Sequence, residues 1–284
     1  MKTNIFVLTE DLNFFYQLNK ELKHLQIEFK VLNIGNKIPD IPNSIILSTM
    51  KEMYKFKNFD NIEKKILPYA KEDDFEKYII KLLALIRISK KSYSEIVFSI
   101  DPGTKHIGLV VFLDDYYLRS HTFYETDNLI KKIHVYINTF QESITNPLNL
   151  IFKFGGGIMP ITLKLIEKIF NDFNEERLRV LLIDEARTSK YRIRDDKEKK
   201  LPKDEAAALF ISLREGIEIT QDHFKTFIEQ KRINKLKAKE FQVNPRENNE
   251  DIDHKLIEIA EDVLKGNLSL SKSIELIKSS KNNN

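Results

Sequence analysis

The chain has 284 residues, of which 42% are hydrophobic and 31% are charged, with a formal net charge of only +3. This length predicts one large domain or two to three small ones, and any basic surface must come from local clusters. Because there is no cysteine, disulfides, thiolate zinc sites and cysteine nucleophiles are excluded. The first apolar run is too short for a signal peptide, and no window has the roughly 18 apolar residues of a spanning helix. A cytoplasmic protein without a membrane partner is therefore expected.

The first 90 residues have the pattern of a small α/β domain. The predicted elements are strands at 5–8, 29–32 and 44–47, a helix at 12–25 and a linker helix at 74–88. This opening resembles a receiver-type domain, with the acidic pair Glu10 and Asp11 after the first strand, although Ser48 stands where a receiver has its phosphoacceptor aspartate. Acids at this point are also typical of a helix start, because they lie near the positive end of the helix dipole.

The stretch around which the rest of the chain is organised reads EIVFSIDPGTKHIGLVVF, at residues 95–112. Apolar runs at 96–100 and 107–113 flank the Pro-Gly-Thr segment, which predicts two strands joined by a tight turn. Asp101 then lies at the end of the first strand, a position that suits a metal ligand. Asp-Pro-Gly is also ordinary turn chemistry, because proline fixes φ and glycine accepts positive φ, so both interpretations stay open at this point.

Apolar patterning predicts six further elements after this hairpin. They are a strand at 116–124, a helix at 127–140, a strand at 148–154, a helix at 161–173, a strand at 179–183 and a helix at 204–214. Their order predicts an α/β domain with a mixed five-stranded sheet, in which an antiparallel meander is followed by right-handed parallel crossovers. Asp184 and Glu185 end the fifth strand and Asp204 begins the last helix, so these acids are expected at one edge of the sheet.

Three segments together resemble the YqgF-like (RuvX) branch of the RNase H superfamily, which is related to RuvC-type Holliday junction resolvases. They are the hairpin DPGTKHIG, the fifth-strand segment IDEARTS and the final-helix segment KDEAAALFISL, and the match covers residues 94–215. The resemblance implies an RNase H-like nuclease domain at 91–217, preceded by the small domain at 1–90 and followed by a helical, basic region at 218–284. It also implies a metal-dependent endonuclease acting on branched DNA, such as a Holliday junction, or on structured precursor RNA.

By the same resemblance, Asp101, Glu185 and Asp204 are the catalytic residues and the ligands of Mg²⁺ or Mn²⁺. Two such ions about 4 Å apart, held by carboxylates, would activate water and stabilise the leaving oxygen of a phosphodiester. Successive side chains on a strand point to opposite faces, so only one residue of the Asp184–Glu185 pair can face the site. The resemblance selects Glu185.

The chain departs from the YqgF pattern at two positions and from the RuvC pattern at a third. His106 and Ala186 replace basic residues, and Lys153 stands where RuvC-type enzymes carry a glutamate. A second class of function therefore stays open, a catalytically inactive RNase H-fold protein that binds nucleic acid or serves as a scaffold. The glycines at 155–157 suggest a phosphate-binding turn, as in sugar-kinase and actin-like ATPases. No aspartate precedes them and the region is too short for that duplicated fold, which favours a flexible loop between strand and helix.

The segment between Glu185 and Asp204 is rich in cations. It joins two proposed ligands, so it must emerge beside the site, where cations would hold a phosphate backbone. A run of charges is otherwise typical of a solvated loop. With two residues of the hairpin, this segment supplies the predicted nucleic-acid-binding set: Lys105, His106, Arg187, Lys190, Arg192, Arg194, Lys199 and Lys200.

The C-terminal region predicts a basic helix at 223–241, a polar linker at 244–249 and a helical pair at 252–264 and 270–277. Two interpretations are equally compatible with this pattern. The helices form an arm for nucleic acid or self-association, or they pack onto the preceding domain. Cleavage of a junction would favour a homodimer.

Overall fold

The computed structural model describes residues 3–33, 44–56, 65–88, 92–141, 147–173, 175–184, 193, 200–226 and 250–282. The chain divides into two compact units, Met1–Ile86 and Arg87–Asn284, each with its own sheet. The predicted α/β class is confirmed, because helices and strands occur in both. No helix in the described part of the chain is both long enough and apolar enough to cross a membrane.

The first unit contains a parallel sheet whose described strands follow the order β2-β1-β3-β4. Its elements are β1 (Asn4–Val7), α1 (Leu12–His24), β2 (Lys30–Val31), β3 (Ser44–Thr49), a 3-10 helix (Met50–Phe56), β4 (Lys65–Tyr69) and the start of α2 (Phe75–Arg87). Strand β4 was not predicted from the sequence. It lies at the end of the sheet order and contains Pro68, a residue that sheets accept on such strands because it cannot donate a ladder hydrogen bond.

The acidic pair after β1 begins a helix. The Asp11 carboxylate caps α1 by accepting the N–H groups of Asn13 and Phe14 at 3.0 Å each. Ser48 is buried at the end of β3, and its hydroxyl donates to the Glu52 carboxylate at 3.2 Å. Burial works to raise the pKa of Glu52, but hydrogen bonds from backbone and side-chain donors hold it below its ordinary value.

The second unit contains a mixed sheet of six described strands in the order β10-β9-β8-β5-β6-β7. The strands are β5 (Glu95–Pro102), β6 (Ile107–Leu113), β7 (Tyr116–Phe123), β8 (Asn149–Gly155), β9 (Leu178–Ile183) and β10 (Gly216–Glu218). The predicted antiparallel meander is β5-β6-β7, and β8 and β9 continue the sheet in parallel with β5. Five strands were predicted for this sheet, whereas the described residues form six. The three-residue β10 pairs antiparallel with β9 and is too short to show an alternating pattern.

Five long helices are described in this unit. They are α3 (Thr126–Gln141), α4 (Met159–Asp172), α5 (Lys203–Ser212), α6 (Glu250–Lys265) and α7 (Leu270–Asn282). Every residue of α5 from Ala206 to Ser212 is buried. One hydrophobic cluster joins residues of α5, α6 and α7 to residues of β5, β6 and β8. The C-terminal helical pair is thus part of the core of this unit, whereas most of the predicted basic helix lies outside the described residues.

The turn between β6 and β7 ties the start of the sheet to α7. Asp114 and Asp115 have φ values of 45° and 77°, the left-handed conformation of a tight hairpin turn. One Asp114 oxygen accepts the N–H groups of Ser94 and Glu95 at 2.8 and 3.1 Å. Asp115 accepts the N–H of Ser271 at 2.7 Å, and this bond caps α7.

Candidate functional site at the start of helix α5

Asp101 lies near the end of β5 on the face of the sheet that α5 covers. Two residues earlier, the hydroxyl of Ser99 donates to the carbonyl of Ala208 in α5 at 2.7 Å. Alternate residues of a strand share a face, so Asp101 also faces α5. In the ladder between β5 and β6, Asp101 stands directly opposite Gly108.

Gly108 is where the first turn of α5 touches the sheet. A β-carbon at position 108 would lie 2.0 Å from the carbonyl oxygen of Asp204 and 2.4 Å from its carbonyl carbon. Only glycine permits this approach of helix backbone to strand backbone. Because residues paired across antiparallel strands have Cα atoms about 5 Å apart, Asp204 begins its helix beside Asp101. The two predicted ligands are therefore brought together from positions about a hundred residues apart in sequence.

His106 completes this side of the site. Its Nδ1 lies 3.4 Å from Oδ2 of Asp204, and the two side chains are 40% and 28% exposed. On its other side, the imidazole meets the ring of Tyr124 edge to face, with ring centroids 4.9 Å apart. Lys105, the neighbouring residue of the turn, is exposed. Two members of the predicted nucleic-acid-binding set thus border the carboxylates.

Glu205 positions the start of α5, a role that the sequence pattern did not predict. Its carboxylate accepts the hydroxyls of Ser120 and Thr122 on β7, the latter at 3.0 Å, and the Tyr117 hydroxyl donates to Ser120 at 3.0 Å. These bonds fasten the first turn of α5 across β6 to β7. The alternating hydroxyls of Ser120 and Thr122 were a signal that the sequence offered, because they mark one polar face of an otherwise half-buried strand.

Lys153 holds the opposite end of α5. It pairs with Ser99 in the ladder between β5 and β8, and it is 6% exposed. Its ammonium group donates to the carbonyls of Ser212 at 2.5 Å and Arg214 at 3.0 Å, the groups that a helix end leaves without partners. Burial lowers the pKa of Lys153 to about 8. Its role here is structural, since both carbonyls belong to the end of α5 farther from Asp204.

The remaining predicted residues fall at or beyond the end of β9. Asp184 follows β9 directly and is exposed, and its carbonyl accepts Nη1 of Arg214 at 2.7 Å. Lys200 is exposed just before α5. Ile193, within the cation-rich segment, is fully buried, and its carbonyl accepts the N–H of Leu201 at 3.0 Å. The other predictions in this segment lie outside the described residues: Glu185, Arg187, Lys190, Arg192, Arg194 and Lys199.

Hard divalent cations bind through oxygen donors, and the described part of the site supplies two carboxylates. Asp101 and Asp204 supply carboxylate oxygens, the ligands that Mg²⁺ and Mn²⁺ prefer, and Mg²⁺ usually keeps several waters of its own. Within the described ranges, no group of three histidines or acids is placed to hold a metal ion. The third predicted ligand, Glu185, is not among those residues. The chemistry of the two acids present fits a hard cation.

Comparisons with known proteins do not assign the chain to a family. No protein-family model matches the chain, and no curated protein matches it. Among solved structures, the chain is similar to the Aquifex aeolicus member of the Ppx/GppA family, with 11% identity, 95% of this chain and 72% of that chain covered, and a TM-score of 0.17. An exopolyphosphatase from Cytophaga hutchinsonii matches with 10% identity, the same coverages and a TM-score of 0.14. At these scores, neither fold nor function follows from the likeness.

Proposed function

We propose that the second unit is a Mg²⁺- or Mn²⁺-dependent endonuclease of RNase H-like fold, which hydrolyses phosphodiester bonds in branched DNA or structured RNA. The observation that carries the proposal is the contact between Gly108 and Asp204, because it sets Asp204 beside Asp101 at one end of the sheet. Support also comes from the order of the sheet, an antiparallel meander extended by two parallel strands.

The parity of β9 supports Glu185 as the third ligand. Leu181 pairs with Lys153, and a residue paired across a parallel ladder shares its face, so Leu181 and Ile183 belong to the face that α5 covers. In sequence, Glu185 is two positions after Ile183 and Asp184 is one position after it, so the alternation of side chains along a strand favours Glu185 over Asp184. Neighbouring strands lie about 4.8 Å apart and only β8 lies between β9 and β5, so β9 ends within about 10 Å of β5.

The acidic and the basic residues of the site would have different roles in the reaction. Asp101, Asp204 and Glu185 would hold the cations, and a bound Mg²⁺ or Mn²⁺ supplies a Lewis acid for water activation and leaving-group stabilisation. Lys105 and Lys200 are exposed, each four residues from a proposed ligand in sequence, and would contact the phosphate backbone. A homodimer would present two such sites to a branched substrate.

The test uses the full-length protein with Mg²⁺ or Mn²⁺ and labelled substrates: four-way junctions, duplexes, and single-stranded DNA and RNA. The variants Asp101→Asn, Asp204→Asn and Glu185→Gln should each lose metal-dependent cleavage while staying folded, because each removes a negative charge and barely changes shape. Asp184→Asn is the matched control, which should keep cleaving. Circular dichroism checks the fold of each variant.

Two outcomes would contradict the nuclease proposal, and a third would contradict the choice of Glu185. If Asp101→Asn and Asp204→Asn cleave at the wild-type rate, these carboxylates are not the catalytic ligands. If the wild-type protein binds nucleic acid but never cleaves it with either metal, the chain is a nucleic-acid-binding or scaffolding protein of the same fold. Loss of cleavage in Asp184→Asn and not in Glu185→Gln would show that the third ligand is the neighbouring acid.

A further inference from the structure

His106 and Tyr124 are neighbours across the end of the ladder between β6 and β7. The last pairs of that ladder join Ile107 to Phe123 and Gly108 to Thr122, and His106 and Tyr124 are the next residues outward on the two strands. Residues two apart on a strand share a face, so both side chains continue the face of Gly108 and Thr122. This is the face on which α5 begins, and the ring contact between His106 and Tyr124 agrees with the placement.

Tyr124 is 77% exposed, and its ring contacts the imidazole of His106. Two residues earlier, the Thr122 hydroxyl donates to Glu205 in α5 at 3.0 Å, so the end of β7 is fastened to the start of the helix. The edge-to-face contact with His106 supports the ring from one side, with an interplanar angle of 86°. A tyrosine loses little conformational entropy on binding, because only two torsions orient its ring. The result is a solvent-exposed aromatic ring at the end of β7, supported on one side by His106.

This surface adjoins the candidate metal ligands. His106 touches the Tyr124 ring and lies 3.4 Å from the Asp204 carboxylate, so a single imidazole separates the exposed ring from the acid. The exposed Lys105 stands next to His106 in the same turn. An aromatic face beside a cation is the combination with which proteins bind unpaired nucleotides, the ring stacking on the base and the cation on the phosphate.

We propose that Tyr124, supported by His106, is a stacking surface for one unpaired nucleobase next to the phosphate at the Asp101–Asp204 site. The inference rests on the proposed nuclease function and specifies its substrate class. A base within a continuous duplex has both faces covered by its neighbours, so it cannot stack on a protein ring without being unstacked first. The preferred substrate is therefore a nucleic acid with an unpaired or unstacked nucleotide at the cleavage position, such as a branch point, loop or single-stranded end.

The experiment measures binding separately from cleavage, in full-length protein carrying Asp101→Asn. The probes are a single-stranded oligonucleotide with one 2-aminopurine and a blunt duplex of the same sequence. Adding Tyr124→Ala should weaken single-strand binding roughly ten- to hundredfold and abolish the quenching of 2-aminopurine. Tyr124→Phe should preserve both, because it keeps the ring. The matched control is Tyr16→Ala, which removes a 69% exposed tyrosine from the first unit and should change neither.

Duplex binding separates a stacking role from a structural one. The duplex affinity of Tyr124→Ala should stay within about twofold of its parent, because phosphate contacts dominate there. Equal losses on both probes, unchanged quenching in Tyr124→Ala, or no single-strand binding at all would each overturn the stacking surface. If 2-aminopurine quenching depends on Tyr124 but the wild-type protein never cleaves, the stacking surface is supported and the nuclease function is refuted. Cleavage by the wild type, with the same preference for loop over duplex substrates in Tyr124→Ala, would do the reverse.

Discussion

The two ends of α5 are held in different ways, although they belong to one ten-residue helix. At its C-terminal end, the buried ammonium of Lys153 donates to the carbonyls of Ser212 and Arg214. At its N-terminal end, the backbone of Asp204 packs against Gly108 of β6, and the Asp204 side chain is 28% exposed. One end is closed by a buried charge that serves the fold, and the other presents acids to solvent.

Both ends place charge favourably against the helix dipole, so the dipole does not explain the difference. Acids stand in the first turn, near its positive end, and Lys153 stands at its negative end. The difference is desolvation: burial lowers the pKa of Lys153 to about 8, which shows that its charge is costly there. A functional metal site needs acids that remain reachable, whereas a structural cap needs partners that exclude water.

The largest effect is expected from Gly108→Ala, which disturbs the N-terminal end. The added methyl would lie 2.0 Å from a backbone oxygen of Asp204, and backbone cannot move aside as a flexible side chain can. Overpacking of this kind costs about 1–3 kcal/mol of unfolding free energy. A shift of about 1 Å in the first turn should also lower the proposed metal-dependent cleavage roughly a hundredfold.

Urea unfolding and single-turnover cleavage measure these two losses. Gly156→Ala is the matched control, because its methyl would meet the Ile183 carbonyl at 3.3 Å, a contact that small movements relieve. If Gly108→Ala unfolds and cleaves like the wild type, the helix does not rest on β6 in the way described.

An intermediate effect is expected from Lys153→Met, which tests the C-terminal end through pH. The native pKa of about 8 lies below the 10.5 of an exposed lysine, so between these values the unfolded chain binds more protons and the wild type gains stability as pH rises. Relative to Lys153→Met, the unfolding free energy of the wild type should rise by up to about 3 kcal/mol across this interval. Below pH 8 the difference should be constant.

Urea unfolding of both proteins at several pH values between 7 and 10.5 provides the measurement. The nearby carboxylates of Glu95 and Glu215 partly offset the burial of Lys153, and they remain in both proteins. A difference that does not change with pH would mean that the Lys153 amine is solvated and does not close the helix.

The smallest effect is expected from Thr122→Val, which removes one hydroxyl bond to Glu205 and keeps the shape of the side chain. Glu205 retains its bond from Ser120, so the loss should be about 1 kcal/mol or a few degrees in Tm. The double variant with Glu205→Gln tests the coupling by a double-mutant cycle. Additive losses would show that the carboxylate does not fasten the helix to β7 through this hydroxyl.

The sequence by itself determined most of the element order and the place of Asp101. Alternation, helical periodicity and Pro-Gly punctuation act over a few residues, so they locate a strand end such as Asp101 within one or two positions. The missed strands, β4 and β10, lie at the ends of the described strand orders. Strand β4 is interrupted by Pro68 and β10 has only three residues, so pairing with a neighbour rather than local pattern decides their conformation. The metal dependence, the substrate class and the role of Glu185 stay predictions.

Only the tertiary structure decided which residues meet across α5. The contact of Gly108 with Asp204, the bonds of Glu205 to β7 and the partners of Lys153 join positions about 60 to 100 residues apart. Periodicity indicates which face of an element is buried but not which residue of another element lies over it. Which residues meet depends on how closely α5 approaches the sheet. Gly108 and the small residues of α5 permit a close approach, and this distance is established only when the chain packs.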